Sequence, residues 1–293
     1  MSVESREGLF KRILVPISSE FYSKEAVRRG FELARLFNCS VTIAYIIEEK
    51  TLYQTERLSE AHRTFFDKTE THKDIMKAER RAAEVIVEDA LSIVEEKPQG
   101  LDKKILYGEF SDVIYAEVDQ QGYDLVVIGY EKGCLLNYRL IDSLNTPVWI
   151  ESGSPHKNII LAVCSNLAPN QKVPNLSMVL SKVLNWDLYM IYVVDTEDTV
   201  EVDVNGFRSP EKSISDLMYT AERFSEEMKK KGLEVTIVKG GLEHEIIKAA
   251  KKLDAGLVVV GRQRKEKGKL GLPLKHVRRR LAEKCRYSLL FVN

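Results

Sequence analysis

The sequence predicts an α/β protein built from two tandem doubly wound domains, each with a five-stranded parallel sheet. Short runs of β-branched and apolar residues alternate with segments of helical periodicity, which is typical of parallel strands buried on both faces. The same succession of elements occurs twice along the chain. A length of 293 residues also fits two domains of roughly 100 to 200 residues each.

The strands of the two repeats are predicted in matching order. Those of the first repeat are 11–15, 41–47, 104–108, 123–129 and 146–150. Those of the second repeat are 157–163, 188–194, 235–240, 255–261 and 288–292. The offset is 147 residues between Ile13 and Ile160 but 132 between Gly129 and Gly261. Equivalent strands are therefore kept while the connecting segments differ in length, as expected of surface loops.

The stretch 151–156 (ESGSPH) has the composition of a short linker. It predicts domains at residues 1–152 and 153–293. The last strand of each domain is apolar, and an exposed apolar edge strand favours aggregation unless it is paired. We therefore expect strands 146–150 and 288–292 to lie side by side, so that the two domains form an internal pseudo-dimer.

The first repeat is longer mainly between residues 56 and 97, where apolar residues recur every three or four positions. These residues are Ile75, Ala82, Ile86, Ala90 and Ile93. The spacing predicts a long amphipathic helix with a charged outer face. A helix covering the sheet and a helix that binds a partner or a membrane surface both fit this pattern.

Composition excludes several classes of protein. Hydrophobic residues make up 44% and charged residues 30% of the chain, which is ordinary globular composition. No apolar run approaches the roughly 20 residues of a membrane span, and residues 1–11 lack the apolar core of a secretory signal. The four cysteines form no Cys-x-x-Cys or Cys/His spacing, so neither a disulfide framework nor a metal site is predicted. We expect a soluble, cytoplasmic protein.

The zero net charge is an average of two unlike halves. Residues 1–153 carry 20 basic and 27 acidic residues, whereas 154–293 carry 24 and 17. The basic excess is concentrated in residues 262–286, which we call the basic segment and which contains eleven basic and two acidic residues. Such asymmetry influences electrostatic partners rather than fold.

Several motifs together resemble the universal stress protein family in its tandem, two-domain form. In the first half they are ILVPISSEFYSKEAVRRGFELARLFNCSVTIAYII, YGEFSDVIYAEV, YDLVVIG and TPVWI. In the second half they are IILAVCSN, LYMIYVVD, VKGGLEHEIIKAAKKLDAGLVVVG and YSLLFVN. The resemblance covers nearly the whole chain, and the fourth-strand glycine pattern occurs in both halves.

The resemblance implies Rossmann-like, adenine-nucleotide alpha-hydrolase-like domains that pair through their last strands. It also implies a crevice above the carboxyl ends of the strands, which is where open α/β sheets bind ligands. Some members of the family bind ATP or AMP. In those members an aspartate after the first strand holds the adenosine part, and a glycine loop after the fourth strand holds the phosphates.

This sequence departs from the nucleotide-binding pattern. The aspartate position aligns with Ser18 in the first repeat and with Cys164 in the second. Neither residue can accept two hydroxyl hydrogen bonds as a carboxylate does. Gly129 and Gly261 match the first loop glycine. The second loop glycine is replaced by Lys132 and Arg264, and Lys275 and His276 stand where the second repeat should have Gly-Ser.

Two interpretations of the second repeat remain open. In one, side chains replace the glycine loop and hold an anionic ligand, with ATP or AMP as the candidate cofactors. The candidate binding residues are Cys164, Leu188, Gly240, Gly261, Arg262, Arg264, Lys275 and His276. In the other, the basic segment is a solvated face without a ligand. The first repeat is predicted to bind no nucleotide, with Val41 lining its vacant crevice.

Catalytic motifs are absent from the sequence. None of the five histidines lies in an HExxH motif, and the chain has no GxSxG or P-loop motif. His244 is predicted to be a surface residue in the first turn of a helix. We therefore expect a non-enzymatic, regulatory or ligand-binding module of the stress response, with a slow ATPase as the alternative. A small anionic ligand and a homodimer are the partners left open, and nucleic acid is disfavoured because the basic segment lacks interleaved aromatic residues.

Overall fold

The computed structural model describes residues 9–48, 68–129, 140, 144–261, 281 and 286–292. The chain divides into two compact units, Met1–Leu144 and Asn145–Asn293. The domain boundary predicted from the linker composition, at residues 152 and 153, remains a prediction.

The first unit is a parallel sheet flanked by helices. Its four described strands have the order β3-β2-β1-β4, and all the pairings between them are parallel. The strands are β1 Arg12–Ile17, β2 Ser40–Ile47, β3 Leu101–Tyr107 and β4 Leu125–Gly129. The described helices are α1 Lys24–Phe37, α2 Lys68–Ser92 and α3 Phe110–Gln121.

The second unit repeats this arrangement with one more parallel strand. Its sheet has the order β5-β10-β9-β6-β7-β8, in which β6 to β10 are parallel and β5 runs antiparallel to β10. The strands are β5 Val148–Glu151, β6 Lys157–Ser165, β7 Asp187–Asp195, β8 Val235–Gly240, β9 Ala255–Gly261 and β10 Ser288–Val292. The helices are α4 Lys172–Leu184, α5 Ile214–Lys230 and α6 Leu242–Leu253.

These units confirm the predicted α/β class and the strand-by-strand correspondence of the repeats. The central strands are buried on both faces, as their continuous apolar sequences require. The strand predicted to close the first repeat, β5, lies instead in the second unit, where Trp149 is opposite Leu290 of β10.

The predicted apolar stripe of the long helix is confirmed at Ala90 but is displaced by one residue at Ala82 and Ile86. In α2 the buried residues are Ala83, Val87, Ala90 and Leu91, whereas Ala82 is exposed. Positions 83, 87, 90 and 91 follow an i, i+4, i+7, i+8 spacing and therefore share one face. The prediction failed because apolar residues are adjacent here, so either neighbour fits a helical period. Among the described residues, no helix is long and apolar enough to cross a membrane.

Candidate functional site

The carboxyl ends of the parallel strands in the second unit bring three of the predicted site residues to one edge. Cys164 is the penultimate residue of β6, while Gly240 ends β8 and Gly261 ends β9. β9 is the neighbour of β6, and β8 is two strands away. At roughly 4.8 Å between strands, the three positions extend over about 15 Å of this edge.

Leu188 lies away from this group, and its role as a site residue remains a prediction. It is the second residue of β7, whereas Asp195 ends that strand at the carboxyl edge. Seven residues at roughly 3.3 Å each separate them by about 23 Å. Val41 has the same position near the start of β2 and is fully buried, so it does not line the crevice of the first repeat. The motif alignment matched apolar side chains without showing at which end of the strand they lie.

The cationic part of the predicted site lies outside the described residues. It comprises Arg262, Arg264, Lys275 and His276, together with Lys132 of the first repeat. Their role in holding an anion remains a prediction.

Strand register corrects the position equivalent to Ser18. Ile13 is opposite Leu125 in the first unit, and Ile160 is opposite Leu257 in the second. Counting along each first strand from these pairs places Ser165, one residue after Cys164, at the position of Ser18. Cys164 itself is 1% exposed, and burial raises the pKa of its thiol. It is therefore a neutral core residue and cannot serve as an anionic ligand group or nucleophile.

The central polar group of the second unit's edge is Asp195, which the sequence analysis did not single out. Its carboxylate is buried and accepts three backbone hydrogen bonds. The N–H groups of Glu197 and Asp198 donate to Oδ1, each at 2.8 Å, and the N–H of Leu242 donates to Oδ2 at 2.7 Å. Leu242 begins α6, so the carboxylate satisfies an N–H group at a helix end that favours negative charge.

Asn166, the residue that follows β6, makes further hydrogen bonds at the same edge of the sheet. Its Oδ1 accepts the backbone N–H of Asp195 at 2.7 Å. Its Nδ2 donates to the carbonyl oxygens of Asp198 at 3.1 Å and Val200 at 2.7 Å. The N–H of Val202 in turn donates to the Asn166 carbonyl at 2.8 Å. The loop after β7 is thereby held against the loop after β6, at the place where the crevice should open.

Carboxylates also surround the glycines at the end of β8. A Cβ placed on Gly240 would lie 3.1 Å from Glu245 Oε1, and one on Gly241 would lie 2.6 Å from Glu197 Oε1. Glu245 is 8% exposed and pairs with Lys248 at 3.2 Å. The glycines thus give room to the protein's own acidic side chains, of which Glu245 is already paired with Lys248.

The first unit also has a buried carboxylate after its second strand, with fewer hydrogen bonds around it. Ser18 is fully buried, and its hydroxyl donates to Glu48 Oε1 at 3.1 Å. The same oxygen accepts the N–H groups of Glu20 at 3.3 Å and Phe21 at 3.2 Å. Glu48 follows β2 as a carboxylate only 4% exposed. Ser18 therefore shapes its own loop, and its free hydroxyl capacity is used within the protein.

Both fourth-strand glycines lie against the loop that follows the first strand. A Cβ on Gly129 would lie 2.0 Å from the Cβ of Ser23, and one on Gly261 would lie 3.2 Å from the Cβ of Ala168. The loops pack where a side chain would otherwise stand. Close packing is thus a structural reason for both glycines, independent of any phosphate.

An open cavity of about 350 Å³ lies beside the loop after β7. Its lining is Glu201, Asp203, Phe207, Arg208, Ser209 and Lys212. Both cations already have carboxylate partners: Arg208 binds Asp198 at 2.6 Å and 2.8 Å, and Lys212 binds Glu201. The lining therefore has no excess positive charge with which to hold an anion.

Signs of catalytic chemistry are equally sparse in the part of the chain that the structure describes. No group of three or more His, Cys, Asp or Glu residues is placed to hold a metal ion there. Burial raises the pKa of the Cys39 thiol to about 11, which keeps it protonated at neutral pH. His244 is exposed over 79% of its side chain, as expected of a surface residue at the start of α6.

One sequence signal could have found the buried carboxylates. Glu48 and Asp195 are separated by 147 residues, the same offset that relates Ile13 to Ile160. Both follow the apolar core of the second strand of their repeat. Two acidic residues at equivalent strand ends indicate a shared position at the carboxyl edge of the sheet.

Comparison with known proteins agrees with the tandem arrangement. Residues 9–143 and 159–293 each match the model of the Universal stress protein family. A solved structure of a universal stress protein from Archaeoglobus fulgidus is similar, with a TM-score of 0.62 and 9% identity over 96% of this chain and 98% of that one. A functionally unknown protein from Pseudomonas aeruginosa has a TM-score of 0.59 and 14% identity over 99% of this chain and 94% of that one. No curated protein sequence matches the chain.

Proposed function

Because this chain belongs to the universal stress protein family, we propose that it is a non-catalytic regulatory module of the stress response that does not use an adenine nucleotide. The observation that carries the proposal is the buried carboxylate at the ligand-binding edge of each unit, Glu48 in the first and Asp195 in the second. We also propose that it acts in the cytoplasm.

Electrostatics supports this proposal. Two unit charges of the same sign 4 Å apart repel by about 4 kcal/mol at an effective dielectric constant near 20. A nucleotide phosphate in the second crevice would meet the carboxylates of Asp195, Glu197 and Glu245, and one N–H at the start of α6 is already bonded to Asp195. Displacing that carboxylate would leave it buried without its donors, which is costly.

The alternative is an adenine-nucleotide-binding protein, or slow ATPase, that uses the second repeat. The observation that favours it is the charge of the basic segment, which follows the end of β9 at Gly261. Side chains on that segment could supply the positive charge that the crevice lacks, with Arg262, Arg264, Lys275 and His276 as the contacts. In this alternative the ligand is a small anion held by screened surface charges.

Two statements about assembly are also proposals. We propose that the two domains form an internal pseudo-dimer through their last strands. The antiparallel pairing of β5 with β10 supports it, as does Glu151, which accepts hydrogen bonds from Trp149 Nε1 and Ser288 Oγ, each at 2.9 Å. A homodimer is the further possibility, which light scattering over a range of protein concentrations tests.

Calorimetric titration of the full chain with ATP and with AMP, each with and without magnesium, tests the main proposal. We expect no saturable heat, and no phosphate release on prolonged incubation with ATP. Micromolar affinity or turnover would overturn the proposal. Mass spectrometry of small molecules released from freshly denatured protein provides the complementary measurement, because a co-purified adenine nucleotide would favour the alternative directly.

A double variant, Arg262→Ala with Lys275→Ala, distinguishes the two functions if heat is observed. Loss of binding in this variant, together with weakening as salt rises, would place the ligand on the basic segment and support the alternative. Binding that survives both changes would exclude the basic segment as the site. The matched control is Lys229→Ala with Lys230→Ala, which removes two exposed cations from the end of α5.

A further inference from the structure

His156 lies between two oxygen atoms at the start of the second repeat. Its Nδ1 is 2.9 Å from Asp254 Oδ1, and its Nε2 is 3.0 Å from the carbonyl oxygen of Arg286. The ring also stacks at a tilt on Tyr287, with 4.6 Å between the ring centres. Only 14% of the side chain is exposed. A single imidazole therefore links three segments of the second unit: the start of β6, the end of α6 and the approach to β10.

Both contacts require a donor on the ring, and a neutral ring cannot supply two. A neutral imidazole has one N–H donor and one lone pair, whereas an imidazolium has two donors. Neither the carboxylate oxygen of Asp254 nor the carbonyl oxygen of Arg286 can donate. Both contacts are hydrogen bonds only when the ring carries two protons, and in the neutral ring one nitrogen lone pair faces an oxygen lone pair.

The charged and titratable surroundings of the ring come from each element it contacts. Asp254 follows α6 in a left-handed conformation at φ 55. Arg286 contributes its backbone carbonyl and has an exposed side chain, and Tyr287 contributes its ring. Directly after the histidine, at the start of β6, exposed Lys157 donates its backbone N–H to the Asp254 carbonyl at 3.1 Å. Asp254 is thus the group that favours the cationic ring, and it is held in place from two sides.

We propose that His156 is a proton-controlled clasp that fastens the last residue of the basic segment to the end of α6. In the closed form the imidazolium donates to Asp254 and to the Arg286 carbonyl. Loss of a proton breaks one of these bonds and loosens the chain that leads into β10. Because the closed form requires both ring nitrogens to carry a proton, the clasp is complete in acid and is released as the pH rises.

Hydrogen exchange of the full chain at pH 5.5 and pH 8.0 tests the clasp, with protection factors corrected for the intrinsic pH dependence of exchange. We expect amides of residues 286–292 to lose about tenfold in protection at the higher pH, since a hydrogen bond to a charged group is at stake. Histidine-selective ¹⁵N NMR should show both His156 nitrogens protonated at pH 5.5. A neutral ring at pH 5.5, or protection that does not depend on pH, would overturn the proposal.

Three variants separate the clasp from ordinary effects of pH. His156→Gln keeps a donor but cannot titrate, so its protection factors should be equal at the two pH values. Asp254→Asn keeps an oxygen at the same position, and asparagine tolerates the left-handed conformation, so the pH dependence should shrink while the fold is retained. His244→Gln removes an exposed histidine and should behave as the unchanged chain. A pH effect that persists in His156→Gln contradicts the clasp.

Discussion

The two repeats satisfy the backbone N–H groups at the start of an equivalent helix in different ways. In the first repeat, α3 is capped locally: the side chain of Glu109 accepts the N–H of Asp112 at 2.9 Å. In the second, the cap position is Gly241, which has no side chain, and Asp195 from the end of β7 accepts the N–H of Leu242 instead. A contact across three residues has been replaced by one across 47 residues.

The difference shows how one side chain can connect a helix end to a loop. The bond that Glu109 accepts from the N–H of Asp112 stays within the first turn of α3, so its loss should affect mainly that helix. Asp195 bonds at once to the start of α6 and to the loop after β7, and Asn166 ties that loop to β6. The second repeat is therefore closed at its carboxyl edge by long-range bonds, and four experiments should reveal that asymmetry.

The largest effect is expected for Asp195→Ala. Three backbone N–H groups, of which that of Leu242 is buried, would lose a charged acceptor. Hydrogen bonds to charged groups contribute about 1.5 to 3 kcal/mol each without adding fully. We expect a loss of about 4 kcal/mol in the free energy of unfolding of the second unit. Both tryptophans, Trp149 and Trp186, belong to that unit, so urea unfolding followed by tryptophan fluorescence measures it.

The matched control for this substitution is Asp187→Ala, at the exposed start of the same strand. It should change the free energy of unfolding by about 0.5 kcal/mol or less, as surface substitutions do. Equal losses for the two variants would refute the importance given to the bonds of Asp195.

The next prediction compares alanine substitutions at the glycines that end the two fourth strands, Gly129 and Gly261. An added Cβ at Gly129 meets the Cβ of Ser23 at 2.0 Å, and Ser23 is also the residue whose hydroxyl caps α1 through the N–H of Ala26. At Gly261 the nearest contact is 3.2 Å. We expect Gly129→Ala to cost about 3 kcal/mol and Gly261→Ala about 1 kcal/mol. Circular dichroism during urea unfolding measures both, and a larger cost at Gly261 would show that the loops do not pack as described.

A smaller effect is expected when each first-strand serine is replaced by alanine. Ser18 Oγ makes one donated and two accepted bonds, including one to buried Glu48. Ser165 Oγ accepts the N–H of Leu167 at 3.2 Å. Ser18→Ala should therefore cost about 2 kcal/mol and Ser165→Ala about 1 kcal/mol. Thermal unfolding of the two variants side by side provides the measurement, and a reversed order would contradict it.

The smallest effect is expected for Glu109→Ala. Removal of a local cap costs about 1 kcal/mol, and the change should be confined to the first turn of α3. Hydrogen exchange should show faster exchange at Asp112 and unchanged protection in β2 and β3. If protection falls across those strands, the local cap is connected to the sheet as widely as Asp195 is.

The sequence alone predicted the fold well because its signals are periodic and duplicated. Buried parallel strands require continuous β-branched runs, and two copies of the same pattern confirm each other. The candidate site was predicted less well. Leu188 lies near the start of β7, and Cys164 lies one residue before the position equivalent to Ser18. The sequence shows neither fact, because an apolar strand has no internal marker of register.

The sequence pattern did not indicate the role of Asp195, for a different reason. Its role depends on donors from residues 197, 198 and 242, which come together only when β7 and β8 are paired. Glu48 likewise becomes significant only beside Ser18. An isolated acidic residue at the end of an apolar run has the same appearance whether it faces water or a buried amide, so local pattern cannot identify it.

The carboxylate that accepts the hydrogen bond at the start of α6 is Asp195, which belongs to the chain and cannot dissociate from it. A dissociable anion stabilises a protein in proportion to its occupancy, so stability follows the concentration of that metabolite. A tethered carboxylate has an effective concentration fixed by the geometry of the fold. The contribution of this carboxylate to stability is therefore independent of the concentration of any free anion around the protein.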